Sequence, residues 1–285
     1  MNGPERTLSI NGNAVARFLY GTAWKEGETQ RLTELAIQNG FRGIDTANQR
    51  RHYHEAAVGA GIGAVIASGL VTRNELFLQT KYTFQRGQDH RLPYDPNAPI
   101  ATQVEQSFSS SLEHLDTDWI DSYLLHGPTH ASGLTDSDWE AWQAMETIHE
   151  NGQARLLGVS NISLEQLQSL CEGARVLPSF VQNRCYAVRC WDRAIREFCS
   201  TQGITYQGFS LLTANRPALS SPRLAEMAMD HGCTVAELIF GFALEVGMIP
   251  LTGTTNADNM RGDLRVFALG LQPDDISRIE NCATG

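Results

Sequence analysis

Three residue types that move protons stand at the ends of short apolar runs. Asp45 closes Gly43-Ile44-Asp45-Thr46-Ala47, Lys81 closes Phe77-Leu78-Gln79-Thr80-Lys81, and His126 ends Tyr123-Leu124-Leu125-His126 before Gly127-Pro128. Singly, each has an ordinary structural role: a cap after a strand, a solvated rim cation, a hydrogen-bonded imidazole. On one rim of one fold they make a candidate proton-transfer site. Polar or aromatic residues also punctuate the other runs, at Trp24, Ser160-Asn161, Gln182 and Phe209-Ser210. A competing chemistry is metal-assisted hydrolysis, since His52-Tyr53-His54 is an H-x-H that Asp45 and His126 could complete. That pair lies in an Arg-rich loop entering a helix rather than on a strand, so no metal is expected.

The elements that must position these residues are legible from pattern. Thr7-Leu8-Ser9-Ile10 and Ala14-Val15-Ala16 flank Asn11-Gly12, a dipeptide that supplies the positive φ angles of a tight hairpin turn. Eight strand candidates follow: 18–23, 41–45, 76–81, 120–125, 155–159, 179–183, 204–209 and 248–251. Between them lie helical spacings at 29–39, 100–115, 138–150, 164–171 and 234–244, with Gly40, Ser163 and Asn151-Gly152 as terminators or caps. Alternating strands and helices predict parallel βαβ units, and a count of eight predicts one α/β domain over 1–285, a (β/α)8 TIM barrel with an N-terminal β-hairpin. An open doubly wound sheet is the alternative, but no G-x-G-x-x-G follows the first strand. In a barrel, chemistry sits at the C-terminal strand ends, where the three ionisable residues fall.

Composition narrows the class. The 285 residues carry 22 Lys+Arg against 32 Asp+Glu, a net charge of −10, which argues against nucleic-acid binding through a basic face. The longest strongly apolar stretch, 238–244, is too short for a bilayer, so no membrane partner is expected. Met1-Asn2-Gly3-Pro4-Glu5-Arg6 shows no apolar signal region, and the six cysteines form no C-x-x-C pair. The expectation is a cytoplasmic protein with reduced thiols, compatible with a monomer.

From about Gly21 to Leu271 the chain resembles the aldo-keto reductases. The resemblance rests on Gly21-Thr22, on Gly43-Ile44-Asp45-Thr46-Ala47 with a following Tyr and Glu, and on Thr80-Lys81. It continues through Leu125-His126-x-Pro128, Gly158-Val159-Ser160-Asn161, Gln182, and Gly253-Thr254-Thr255 opening a helix. The implied activity is hydride transfer from NADPH, with NADH as the alternative, to a small-molecule aldehyde or ketone, with Tyr53 donating the proton. Lys81 would lower the Tyr53 pKa, Asp45 would pair with Lys81, and His126 would orient the carbonyl. A nucleotide-binding regulator on the same fold, without catalysis, is the alternative. The family's Tyr position is held here by Arg50. Tyr53 follows three residues later, which a lengthened loop would explain.

The same resemblance implies a cofactor trough. Thr22 and Ala23 would lie beside it. Ser160, Asn161 and Gln182 would hold the carboxamide, and Phe209 would stack on the nicotinamide. Ser210 and Leu212 would follow the pyrophosphate. Gly253, Thr254 and Thr255 put backbone donors at a helix N-terminus, where anions are favoured. Asn259 and Asp263 replace common 2′-phosphate and adenine ligands, which predicts weakened discrimination between NADPH and NADH. Trp24, Tyr82 and Gly127 would line the substrate pocket, Gly127 leaving a roomier mouth than the family's bulky aromatic.

Overall fold

The hairpin forms as its Asn-Gly turn predicts. In the computed structural model, which describes residues 6–283, β1 (Thr7–Ile10) pairs antiparallel with β2 (Asn13–Ala16). Asn11 and Gly12 adopt φ angles of 49° and 79°. Residues 1–5 lie outside the described range, and with them most of the stretch scanned for a signal. Eight parallel strands then close a barrel: β3 (Leu19–Gly21), β4 (Gly43–Asp45), β5 (Phe77–Tyr82), β6 (Ile120–Leu125), β7 (Ala154–Ser160), β8 (Phe180–Arg184), β9 (Thr205–Phe209) and β10 (Ile249–Thr252). Their spatial order is β10-β3-β4-β5-β6-β7-β8-β9, so each strand neighbours its sequence successor and the last returns to the first. This is the (β/α)8 architecture expected from the pattern.

Strand alternation divides the side chains between two cores. Outward-facing Ile44, Leu78, Tyr123, Leu157, Val181 and Tyr206 pack beneath the surrounding helices. Inward-facing Leu19, Phe77, Leu156, Phe180 and Ile249 fill the lower barrel, where Val15 and Ala16 of the hairpin cover them. Above that apolar layer the interior turns polar. Register sets Asp45 beside Gln79, Gln79 beside Ser122, and Gln182 beside Gln207. Three outer helices begin at strong start signals: Thr135, Ser163 and Thr234 each cap their helix reciprocally with the residue three places on. One glycine is demanded by packing. A Cβ on Gly59, in the helix Glu55–Ala67, would lie 2.0 Å from the His114 carbonyl of the helix Ile100–Leu115, so only glycine permits that approach.

No single helix among the described residues is long and apolar enough to cross a membrane. All six cysteines are free.

Candidate active site

The cavity at the C-terminal end of the barrel has a volume of about 1280 Å³. Asp45 lines it and is paired with buried Lys81, whose Nζ lies 2.7 Å from Oδ1 and makes a second 2.7 Å bond to the Thr46 carbonyl. Lys81 is fully buried, and burial pulls its ammonium below the ordinary lysine range against the opposing pull of Asp45. A charge so placed persists only when paired and hydrogen-bonded. Asp45 is held in turn by Gln79 and Gln182, whose amides donate to Oδ1 at 2.7 and 2.9 Å. Both glutamines also donate to Gln207 Oε1, and Gln207 returns a bond to Gln79 Oε1, which accepts from Ser122 as well. This amide layer locks the carboxylate at its position inside the barrel.

Tyr53 reaches the cavity despite its displaced number. Residues Arg50–His52 form a turn in which the Tyr53 amide donates to the Gln49 carbonyl at 3.0 Å, and Arg50 Nη1 donates to the Tyr53 carbonyl at 3.2 Å. The loop is pinned on both sides. Gln49 donates to the Gly87 carbonyl, and Trp24 donates through its amide to His52 while stacking on that ring at 4.0 Å. Two residues past Tyr53, buried Glu55 accepts from Thr80 Oγ1 and contacts His114 Nδ1 at 3.0 Å. Arg50 therefore points away, into a separate pocket, and Tyr53 takes the wall of the main one. The Lys81 ammonium lies 5.4 Å from the Tyr53 ring centroid, and the Tyr53 and His126 rings are 5.9 Å apart.

The electrostatics depart from expectation at one point. Burial first, then the Asp45 charge, push the Tyr53 phenol well above its ordinary pKa, whereas the expected effect of Lys81 was a lowering. The reason is that desolvation of the buried phenol, with the Asp45 charge beside it, outweighs any help from the lysine. Tyr53 is therefore a firmly protonated phenol. Burial and then Lys81 hold His126 well below the ordinary imidazole range, so it is neutral. Its Nδ1 lies 2.6 Å from Thr83 Oγ1; with that hydroxyl donating, Nε2 carries the proton.

The remaining walls follow the strand ends. Ser160 Oγ donates to the Gln182 carbonyl at 2.7 Å, and Asn161, at φ 53°, donates to the His126 carbonyl at 2.8 Å and to Ser160 Oγ at 3.1 Å. Asn183 braces this turn through both backbone groups of Ile162. With these N–H groups engaged, Asn161 and Gln182 present carbonyl oxygens as acceptors. Ala23, Trp24, Gly127, Phe209, Ser210 and Leu212 line the cavity, as do Gly253, Thr254, Asn259 and Asp263. Four expected residues do not, Lys81 among them, since it is fully buried beneath Asp45. Tyr82 faces outward by strand alternation and is fully buried against Phe84 and Tyr94, with ring centroids 5.2 and 5.8 Å away. Thr22 is buried with its hydroxyl on the Asp45 carbonyl, and Thr255 is exposed on the turn outside the cavity wall.

Sequence reasoning overlooked Gln79, Gln207, Thr83, Arg86 and Lys25. Gln79 was discoverable, because period-two spacing puts it on the face of Lys81. Lys25 and Lys81 are the chain's two lysines, and Lys25 also lines the cavity, its amine on the Gly253 carbonyl.

A sequence model described as "Aldo/keto reductase family" matches residues 18–284. This chain belongs to that family. As an aldo-keto reductase it is an enzyme of the oxidoreductase class. It is 29% identical over 254 residues to the uncharacterized oxidoreductase YtbE of Bacillus subtilis, covering 89% of this chain and 83% of that one. It is 28% identical to the glyoxal reductase of the same organism with the same coverage. The aldo-keto reductase AKR2E4 of Bombyx mori, solved in complex with NADP, superimposes with a TM-score of 0.82 at 26% identity, covering 97% of this chain and 92% of that one. The aldo/keto reductase of Brucella melitensis gives a TM-score of 0.84 at 26% identity and covers 99% of each chain. The fold and family tell against the hydrolase reading. His52 stacks on Trp24, and no three His, Cys, Asp or Glu side chains among the described residues converge as metal ligands.

Proposed function

We propose that this reductase converts an aldehyde or ketone to an alcohol using NADPH, with Tyr53 giving the proton to the carbonyl oxygen. The observation that carries the reading is the arrival of Tyr53 beside His126 and the buried Asp45–Lys81 pair. The cavity walls fit a dinucleotide. Asn161 and Gln182 offer acceptors for a carboxamide at one end, and Phe209 offers a ring face there. Ser210, Leu212, Gly253 and Thr254 line the middle. At the other end Asp263, buried with Oδ2 unpartnered, would take the adenine, and Asn259 would stand by the 2′-phosphate. The silkworm relative solved with NADP supports the same cofactor class here.

Reduced nicotinamide, when bound, supplies the hydride to the carbonyl carbon. His126, neutral and held by Thr83, donates from Nε2 to the carbonyl oxygen and fixes it near Tyr53. Tyr53 delivers its proton to that oxygen as the negative charge develops, so no alkoxide has to persist in a dry site. The Lys81 ammonium then stabilises the phenolate left behind, while Asp45 and the glutamine layer keep Lys81 charged and still. Trp24 and Gly127 border the substrate's mouth.

Tyr53→Phe tests this directly. Cofactor binding, followed by quenching of tryptophan fluorescence, should stay within about twofold, while carbonyl reduction falls by about 10²–10⁴-fold. Undiminished turnover would show that another group donates the proton.

A further inference from the structure

We propose that the physiological carbonyl substrate bears a carboxylate, bound by Arg86 at the mouth of the cavity. The proposal rests on the reductase reading above and names the class of carbonyl it acts on. Although the chain carries a net charge of −10, its cavity-lining acids are unavailable at the substrate end. Asp45 is paired with Lys81, Glu237 with Arg265, and Asp258 with Arg261, and Asp263 is buried at the end assigned to adenine. Arg86 lines the same cavity as Tyr53 and His126, and among the described residues no carboxylate pairs with it.

The guanidinium is nevertheless held in place. Arg86 lies in the short turn Gln85–Gly87 after β5, and its Nη2 donates to the Pro128 carbonyl, two residues past His126. Three residues before it, Thr83 grips His126, and one residue after it, the Gly87 carbonyl accepts from Gln49 in the Tyr53 loop. The same loops that fix the proton donor and the orienting imidazole therefore fix the cation at a set offset from them. With one edge engaged by Pro128, the remaining N–H groups present a fork suited to a carboxylate. A neutral or cationic carbonyl gains nothing from this arrangement.

The test uses two matched pairs, 4-formylbenzoate with its methyl ester and 4-oxobutanoate with its methyl ester, each with NADPH. The carboxylates should show KM values at least about tenfold below those of their esters, with kcat differing much less, since the contact is remote from the reacting carbon. Arg86→Met should bring the ratio of kcat/KM within each pair close to one, and Arg86→Lys should restore part of it. About 0.5 M NaCl should shrink the wild-type ratio without any substitution. Binding of 4-(hydroxymethyl)benzoate against its ester, followed by tryptophan fluorescence, reads the anion site without turnover. It should favour the acid in wild type and lose that preference in Arg86→Met. A wild-type preference near one, or a preference that survives Arg86→Met, overturns the carboxylate assignment. Failure of all four compounds to oxidise NADPH, with the binding preference intact, overturns the reductase reading and leaves the anion site standing.

Discussion

Replacing Thr83 with Val should disable His126 while leaving its ring in place. The two side chains are nearly isosteric, so the change removes one hydroxyl 2.6 Å from Nδ1. That hydroxyl decides which nitrogen carries the proton. With that hydroxyl donating, Nδ1 accepts and Nε2 carries the proton. Without it, Nδ1 is stripped of its partner in a desolvated site, or the proton moves to Nδ1 and a lone pair confronts the substrate oxygen. Leaving a buried acceptor unsatisfied costs about 1–3 kcal/mol, which corresponds to a loss of about 5–150-fold in kcat/KM. Burial and Lys81 hold the imidazole well below its ordinary pKa, so protonation does not rescue the donor near neutrality. The loss should therefore be uniform between about pH 6.5 and 9, with Thr83→Ser recovering most of it. The assay is NADPH oxidation with a saturating and a limiting aldehyde, alongside cofactor binding, which should hold. A Thr83→Val enzyme within about twofold of wild type would show that Thr83 does not set the tautomer.

Two further outcomes follow from the cofactor end of the cavity. Burial, and secondarily Glu237, raise the Asp263 carboxyl to about 6 against the opposing Thr252 bond. A raised folded pKa means its stability contribution is intact below about pH 4 and lost as pH rises through about 6. Asp263→Asn should thus raise the melting temperature by a few degrees at pH 8, on the order of 2 kcal/mol, and leave it unchanged at pH 4, checked by thermal melts at both values. For cofactor choice, Leu251 and Asn259 bring no charge to the 2′-phosphate, Arg261 is paired with Asp258, and of the cavity-lining cations Lys25, Arg86, Arg184 and Arg265, the one on the helix of Asn259, Arg265, is paired with Glu237. NADPH should be preferred by no more than about a hundredfold over NADH, or ~2.7 kcal/mol, in paired kcat/KM measurements. A thousandfold preference would reveal a stronger basic ligand than these.

Much of this enzyme was written in local pattern. Short apolar runs and turn residues marked all eight barrel strands, Ile120–Leu125 to the residue, because strand direction and turn chemistry are decided by near neighbours. The ends of those strands named Asp45, Lys81 and His126 as partners before any contact was visible. What lay beyond the sequence was convergence. Tyr53 rather than Arg50 faces the cavity because Gln49, Trp24 and Glu55 pin the loop from three directions, and no spacing rule encodes those grips. Tyr82 was misplaced because adjacency to Lys81 suggested the site, while alternation sends the two side chains to opposite faces of one strand. The glutamine layer depends on register between strands far apart in the chain, Gln182 meeting Asp45 across 137 residues. Burial, and then the Asp45 charge that this layer holds in place, made Tyr53 a firmly protonated phenol where a neighbouring lysine alone predicts the reverse. Local sequence determines where a strand runs and ends. Which groups face one another across the barrel, and hence their protonation, is decided only when the sheet closes.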